Sequence, residues 1–242
     1  EICAQEWVSQ SRECLEQCHF CRADAVATQG LRQYPDEGKL WEIHGAARFA
    51  LRDFAGACEA LETATTLTPL QPFSQIALAE AYLELEHPEV ARTILIHLAD
   101  WERSSVEILS RVAKSLGRLA EYETALAVCQ RITRREPFYH PAYFGVAFYL
   151  ARLERAPEEA ILPLTRAVEL APKVTAYRLN LGFVLWSSSR HAEAYQVLRR
   201  VPLREVESRF WLNHLIQVFE IAGDFDRAVQ CRSRLGEPTD SD

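Results

Sequence analysis

The sequence predicts an all-α chain built from repeated pairs of helices, and three observations carry that expectation. Seven alanines, Ala23, Ala57, Ala91, Ala125, Ala160, Ala194 and Ala228, recur at intervals of 34, 34, 34, 35, 34 and 34 residues. Prolines stand twelve residues after four of them, at Pro35, Pro69, Pro137 and Pro172. Turn formers are otherwise sparse, with 9 Gly and 11 Pro in 242 residues. No stretch alternates apolar and polar side chains as a half-buried strand does, and runs rich in Ala, Leu, Glu and Arg dominate.

The physical reading of the period is two antiparallel helices per unit. Small residues twelve positions before the alanines (Gly45, Ala79, Ala113, Ala147, Gly182) let the two backbones approach closely. Leucines four positions after them (Leu61, Leu95, Leu164, Leu198), with Trp7, Trp41 and Tyr143 sixteen before, fill the space between the helices. Proline ends the second helix because it has no N–H and cannot continue one. One such pair cannot bury its apolar face alone, so successive pairs must stack.

Taken in order, the repeats fall near 4–37, 38–71, 72–105, 106–139, 140–174, 175–208 and 209–236. The first contains "ECLEQCHFC", where Cys14, Cys18 and Cys21 have the C-x3-C-x2-C spacing of a radical-enzyme cluster loop, with His19 inside it. That chemistry needs a preceding strand and a Gly-rich nucleotide segment, and neither is present. Aligning the repeats places "CHFCRA" where "RDFAGA", "AEYETA" and "GDFDRA" stand later, so Cys18, His19 and Phe20 read as the turn between helices. Cys14 then lies on the buried side of its helix as a small hydrophobe, and Cys21 is left exposed. A zinc site from Cys14, Cys18 and Cys21 with His19 or Cys3, or a Cys18–Cys21 disulfide on oxidation, stays open at this level.

The second repeat, "KLWEIHGAARFALRDFAGACEALETATTLTP", carries Trp41, Gly45, Ala57, Leu61, Ala64 and Pro69 in phase. The fourth projects Arg111, Lys114 and Arg118 from one helix face. The fifth has one extra residue between its helices, near "ERAPEEA". In the seventh, Arg232 replaces the inter-helix leucine, which gives the polar outer face a terminal repeat needs. Residues 237–242 are predicted to be a disordered polar tail, and Ile2, Trp7 and Val8 an apolar N-terminal edge.

Composition bounds the function. The net charge of -7, from 27 basic and 34 acidic residues, argues against general nucleic-acid binding. No stretch approaches the roughly 18 apolar residues of a membrane helix, so no membrane insertion is expected. Seven cysteines, an odd number in a chain too large to need disulfide staples, point to a reducing, cytoplasmic setting. The chain contains no Met, which suggests a trimmed start or a piece of something longer. There is no phosphate loop, H-E-x-x-H or G-x-S-x-G, and none of the seven His has a nucleophile and carboxylate at triad spacing. The chain is therefore expected not to be an enzyme and to need no cofactor.

These motifs make the whole chain resemble the tetratricopeptide repeat family. The resemblance implies a right-handed superhelical solenoid of about seven antiparallel helix pairs, forming a single array over 1–236. The departures are local: Arg48 replaces an aromatic, Ile216 a small residue, and Arg103 and Val206 a proline. The resemblance also implies a concave groove, lined by first helices, that holds a peptide or partner segment. By that analogy Arg111, Lys114 and Arg118, extended by Arg152, form a basic centre. Phe144, Phe148, Asn180, Phe183, Trp186, Asn213, His214 and Gln217 then supply aromatic pockets and amides. Such a groove suits an acidic or C-terminal segment of another protein, with Asn180 at the place where many peptide-binding members carry a backbone-holding Asn. Only fragments of the chaperone-tail carboxylate clamp occur, so a chaperone-tail receptor is not expected. The expected function is an interaction scaffold or adaptor. The alternative is a substrate-recruiting or regulatory domain of a larger multidomain enzyme.

Overall fold

The computed structural model describes residues 3–236; Ile2 and the tail over 237–242 lie outside the described residues. Every regular element among the described residues is a helix. The chain divides into two compact units, Glu1–Thr124 and Ala125–Asp242. The first holds α1 (Ala4–Glu16), α2 (Phe20–Gln33), α3 (Gly38–Ala50), α4 (Phe54–Leu67), α5 (Pro72–Glu84), α6 (Pro88–Asp100) and α7 (Val106–Arg118). Helix α8 (Tyr122–Arg135) runs across the boundary. The second unit continues with α9 (His140–Arg152), α10 (Pro157–Leu170), α11 (Thr175–Ser187), α12 (His191–Leu198), α13 (Arg209–Ile221) and α14 (Phe225–Leu235).

Within the first unit α1–α2, α3–α4 and α5–α6 are packed pairs, and each second helix also packs on the next first helix. First helices touch one another as well, α1 with α3, α3 with α5 and α5 with α7. In the second unit α9 to α14 pack in the same sequential way. The helix pairs therefore occupy the places that the 34-residue period assigns.

One backbone device makes every pair. After each first helix a residue enters the left-handed region: Cys18, Arg52, Glu86, Ala120, Glu154 and Ser189 at φ between 53° and 65°, and Gly223 at 76°. The next N–H then bonds back to the carbonyl five residues earlier, as in His19 to Cys14 (2.9 Å), Asp53 to Arg48 (3.0 Å) and Asp224 to Phe219 (2.8 Å). This is the Schellman closure, which satisfies a helix's orphan carbonyls and reverses the chain. Asp53 and Asp224 then cap the following helix, accepting from Gly56 N and Arg227 N. Six turns have three residues, and the turn between α9 and α10 has four, 153–156. The extra residue of the fifth repeat is thus in the turn itself, with Pro157 opening α10 behind it.

The core follows from close backbone approach. All seven repeat alanines are 4% exposed or less. A Cβ built on Gly45 would stand 2.6 Å from Leu61 Cγ, and one on Gly182 would stand 2.3 Å from Leu198 Cγ. The same Gly-to-Leu contact therefore joins the helices of two different pairs. Cys14 is buried beside Ala23 and Ala47. Cys58, Cys129 and Cys231 are buried on second helices, and burial pushes their thiols up to about 11, about 12 and about 11 respectively. These thiols act as packing groups.

At three places the structure differs from what the sequence predicts. Trp7 and Val8 do not form an exposed edge: both are buried with Leu31, Leu40 and Ile43, because α1 packs on α2 and α3. Arg48, in place of an aromatic, is held by ion pairs to Asp24 (3.4 Å) and Asp53 (3.3 Å). In the sixth repeat Pro202, not a proline at position 206, ends the second helix early. The chain makes a short 3₁₀ turn at Leu203–Glu205 and buries Val201, Leu203 and Val206 against Leu212 and Leu215.

Gly182→Ala is expected to destabilise. Overpacking costs about 1–3 kcal/mol, and the helix-propensity gain of about 1 kcal/mol does not offset it, since Leu198 is fully buried. A lowered urea midpoint that recovers in the Gly182→Ala/Leu198→Ala double variant relative to Leu198→Ala checks this contact. Conversely, Ala120→Gly should raise stability by about 0.5–1 kcal/mol by relieving a left-handed alanine, read as a higher thermal midpoint.

Candidate binding groove

The basic row of α7 is real in position but largely spent within the fold. Arg111 Nη2 lies 2.6 Å from Glu80 Oε2, and Ser115 Oγ donates to the other oxygen of Glu80 (3.0 Å). Arg118 Nη2 lies 2.6 Å from Glu84 Oε1. Both glutamates belong to α5, the first helix of the preceding pair, which packs on α7. Lys114 is exposed between them. The local field of the row is therefore that of one lysine, with two arginines held in partly exposed pairs. The first unit as a whole is acidic, twenty acidic against eleven basic residues, whereas the second has fourteen against sixteen. Arg152, in the second unit, is exposed at the end of α9.

The cysteine-rich turn does not gather ligands. Cys14 is buried, whereas Cys18, His19 and Cys21 are exposed, and all seven cysteines are free. Among the described residues no three His, Cys, Asp or Glu side chains converge as a metal site. No helix among them is long and apolar enough to cross a membrane.

The second unit assembles most of the aromatic residues that the sequence singled out. Phe144 stacks on Tyr177 at 5.1 Å between ring centres, and the Tyr177 hydroxyl lies 2.8 Å from His140 Nδ1. Phe183 meets Phe210 (5.9 Å), Trp211 (6.0 Å) and His214 (5.1 Å) edge-on or tilted. Trp186, half-buried, packs on His191 at 4.2 Å. Phe148, Phe183 and Phe210 remain 46%, 38% and 59% exposed. They come from α9, α11 and α13, the first helices of three successive repeats. Asn213 and Gln217 are exposed on α13. Asn180 donates through Nδ2 to the Ala176 carbonyl one turn back (2.8 Å), which fixes its amide and leaves Oδ1 as an acceptor.

His214 differs from the rest. It is buried under Phe183, Trp186 and Trp211, and its Nε2 has no hydrogen-bond partner among the described residues. Burial holds its pKa below the ordinary value of 6.5. His214 therefore supports the aromatic face from below and does not present itself to a ligand.

Between α9, α10 and α11 lies a cleft of about 290 Å³. Its walls are apolar, chiefly Phe144, Phe148, Phe183 and Pro157, with Asn180 and Arg155 as polar elements. The sequence reading named three of these, Phe144, Phe148 and Phe183, along with Asn180. Arg155 at the cleft, and Tyr177 stacked beside Phe144, were not among the expected residues. The signal for Arg155 was present, since it stands in the one turn of altered length.

No family model matches the sequence, and no curated protein matches it. Solved structures do. The C-terminal part of a tetratricopeptide repeat-containing protein from Cytophaga hutchinsonii is similar over 94% of this chain and 93% of its own, with TM-score 0.74 and 8% identity. YrrB, a tetratricopeptide repeat protein with an unusual peptide-binding site, matches 72% of this chain and 90% of its own (TM-score 0.61, 16% identity). A chain of the APC/C hetero-tetramer Cut9–Hcn1 matches 89% of this chain and 42% of its own (TM-score 0.60, 14% identity).

The buried imidazole sets a pH dependence. The folded-state pKa of His214 is lowered, so the unfolded chain binds more protons as pH falls through about 6.5, and stability is present above that value and lost below it. Burial likewise lowers His44, against the opposing pull of Asp24 at 2.9 Å. Urea midpoints should therefore be lower at about pH 5.5 than at about pH 7.5, and His214→Leu should flatten part of that slope.

Proposed function

We propose that this chain, which has the tetratricopeptide repeat fold, is an interaction scaffold whose second unit holds a segment of another protein along α9, α11 and α13. One observation carries this reading: Phe148, Phe183 and Phe210 stay substantially exposed, at 46%, 38% and 59%, on successive first helices. Folding leaves these rings wet, and exposed aromatics set among amides are the usual anchors of protein recognition. Asn180, Asn213 and Gln217 supply donors and acceptors beside them for a partner's backbone. The peptide-binding site of YrrB and the assembly of Cut9 with Hcn1 support a protein or peptide as the ligand.

The partner's charge follows from the same geometry. In the first unit Glu80 and Glu84 already occupy Arg111 and Arg118, which weakens the case for an acidic segment there. In the second unit basic residues slightly outnumber acidic ones, so an acidic or C-terminal segment fits the aromatic face better.

Phe148→Ala/Phe183→Ala should weaken capture of specific partners at least about ten-fold while leaving helical circular dichroism unchanged, since neither ring belongs to the buried core. Proteins retained from native lysate by the wild type and by the variant, quantified side by side, check this. Equal retention of the same partners would exclude the aromatic face as the site.

A further inference from the structure

The fifth pair departs from the other six at one place, and the cleft opens at that place. Elsewhere the residue that closes the Schellman bond is also the cap of the second helix, as with His19, Asp53 and Asp224. In the fifth pair Arg155 makes that bond, to the Leu150 carbonyl at 3.1 Å, and Ala156 is added as a separate cap before Pro157. The insertion frees Arg155 from the capping position and sets residues 155–157 along the rim of the cleft. The opposite wall comes from one face of α11, with Asn180 and Phe183 a turn apart, and the floor from α9 and α10.

The chemistry of this lining is asymmetric. Arg155 is the one charged residue among the cleft's lining residues, whereas Glu154, Glu158 and Glu159 are exposed but do not line it. Arg155 makes no ion pair among the described residues. The apolar walls exclude charge from the interior, and at about 290 Å³ the space suits a single large side chain. A guanidinium at the rim of such a slot is matched by a carboxylate just outside it. Asn180, also on the lining, keeps Oδ1 as an acceptor for a backbone N–H.

We propose that the four-residue turn of the fifth pair, with α9 and α11, forms a receptor for one aliphatic or aromatic side chain of a partner peptide, with a carboxylate of the same peptide paired to Arg155. This inference rests on the reading of the second unit as a peptide-binding face. It assigns the specificity of that face to a turn insertion and a residue outside the first helices.

The test is selection of a random dodecapeptide display library on the full chain, followed by fluorescence anisotropy of the most enriched synthetic peptide. Enriched peptides should share an apolar residue within two positions of Asp, Glu or a free C-terminus. Arg155→Ala should weaken binding roughly two- to five-fold, as expected for an exposed ion pair. Replacing the peptide's carboxylate by its amide should cost the wild type the same factor and cost Arg155→Ala almost nothing. Deleting Ala156, which restores the three-residue turn, should weaken binding further. If that deletion does not fold, the coupling between Arg155 and the carboxylate decides alone. Peptides that depend on Phe183 but show no such coupling would overturn the receptor and leave the peptide-binding face intact. No enrichment on the wild type would overturn both.

Discussion

At Gly45 and Gly182 the paired helices approach so closely that a methyl group has no room against Leu61 or Leu198. The rest of the fold depends on that approach. It buries the seven alanines of the period, with Leu61, Leu95, Leu164 and Leu198 buried beside them. It also requires that each pair be closed by a very short turn. The left-handed residue and its five-residue backward hydrogen bond meet that requirement in all seven pairs, with glycine in only one of them. Six other side chains hold a conformation that costs of order 1–2 kcal/mol each, which packing of the paired helices must outweigh.

This architecture keeps its packing surfaces apart from its exposed ones. The second helices and the inner faces of the first helices are consumed by packing, and their cysteines are drawn into it with thiols held protonated by burial. What remains free is one face of each first helix and the turns. In the first unit that face is crossed by ion pairs from one repeat to the next, Glu80 to Arg111 and Glu84 to Arg118. In the second it is paved with phenylalanine. Two neighbouring stretches of one repetitive design thus carry different surface chemistry on the same backbone.

The pairing of α7 with α5 was legible in principle. Glu84 and Arg118 are 34 residues apart, one full period, and residues one period apart on first helices are neighbours once the pairs stack. Reading each helix alone treats the arginines as a free patch; reading across the period pairs them. His214 is a different case. Its place on the helix matched the expected groove, yet Phe183, Trp186 and Trp211 close over it. Ring orientations of this sort depend on side-chain packing in three dimensions, which no spacing encodes.

The sequence by itself determined the architecture. A 34-residue recurrence of small, large and helix-ending residues admits essentially one solution, because only stacked antiparallel pairs bury all of those positions at once. It also located the turns and the one inserted residue, since any change in period must fall where packing does not forbid it. Only the tertiary structure decided which charges are spent and which rings stay wet, because these depend on contacts between repeats. It alone revealed that the inserted residue at the fifth turn places Arg155 over an apolar cleft. A turn's length is written in the chain, but the space it opens is defined by the helices on either side.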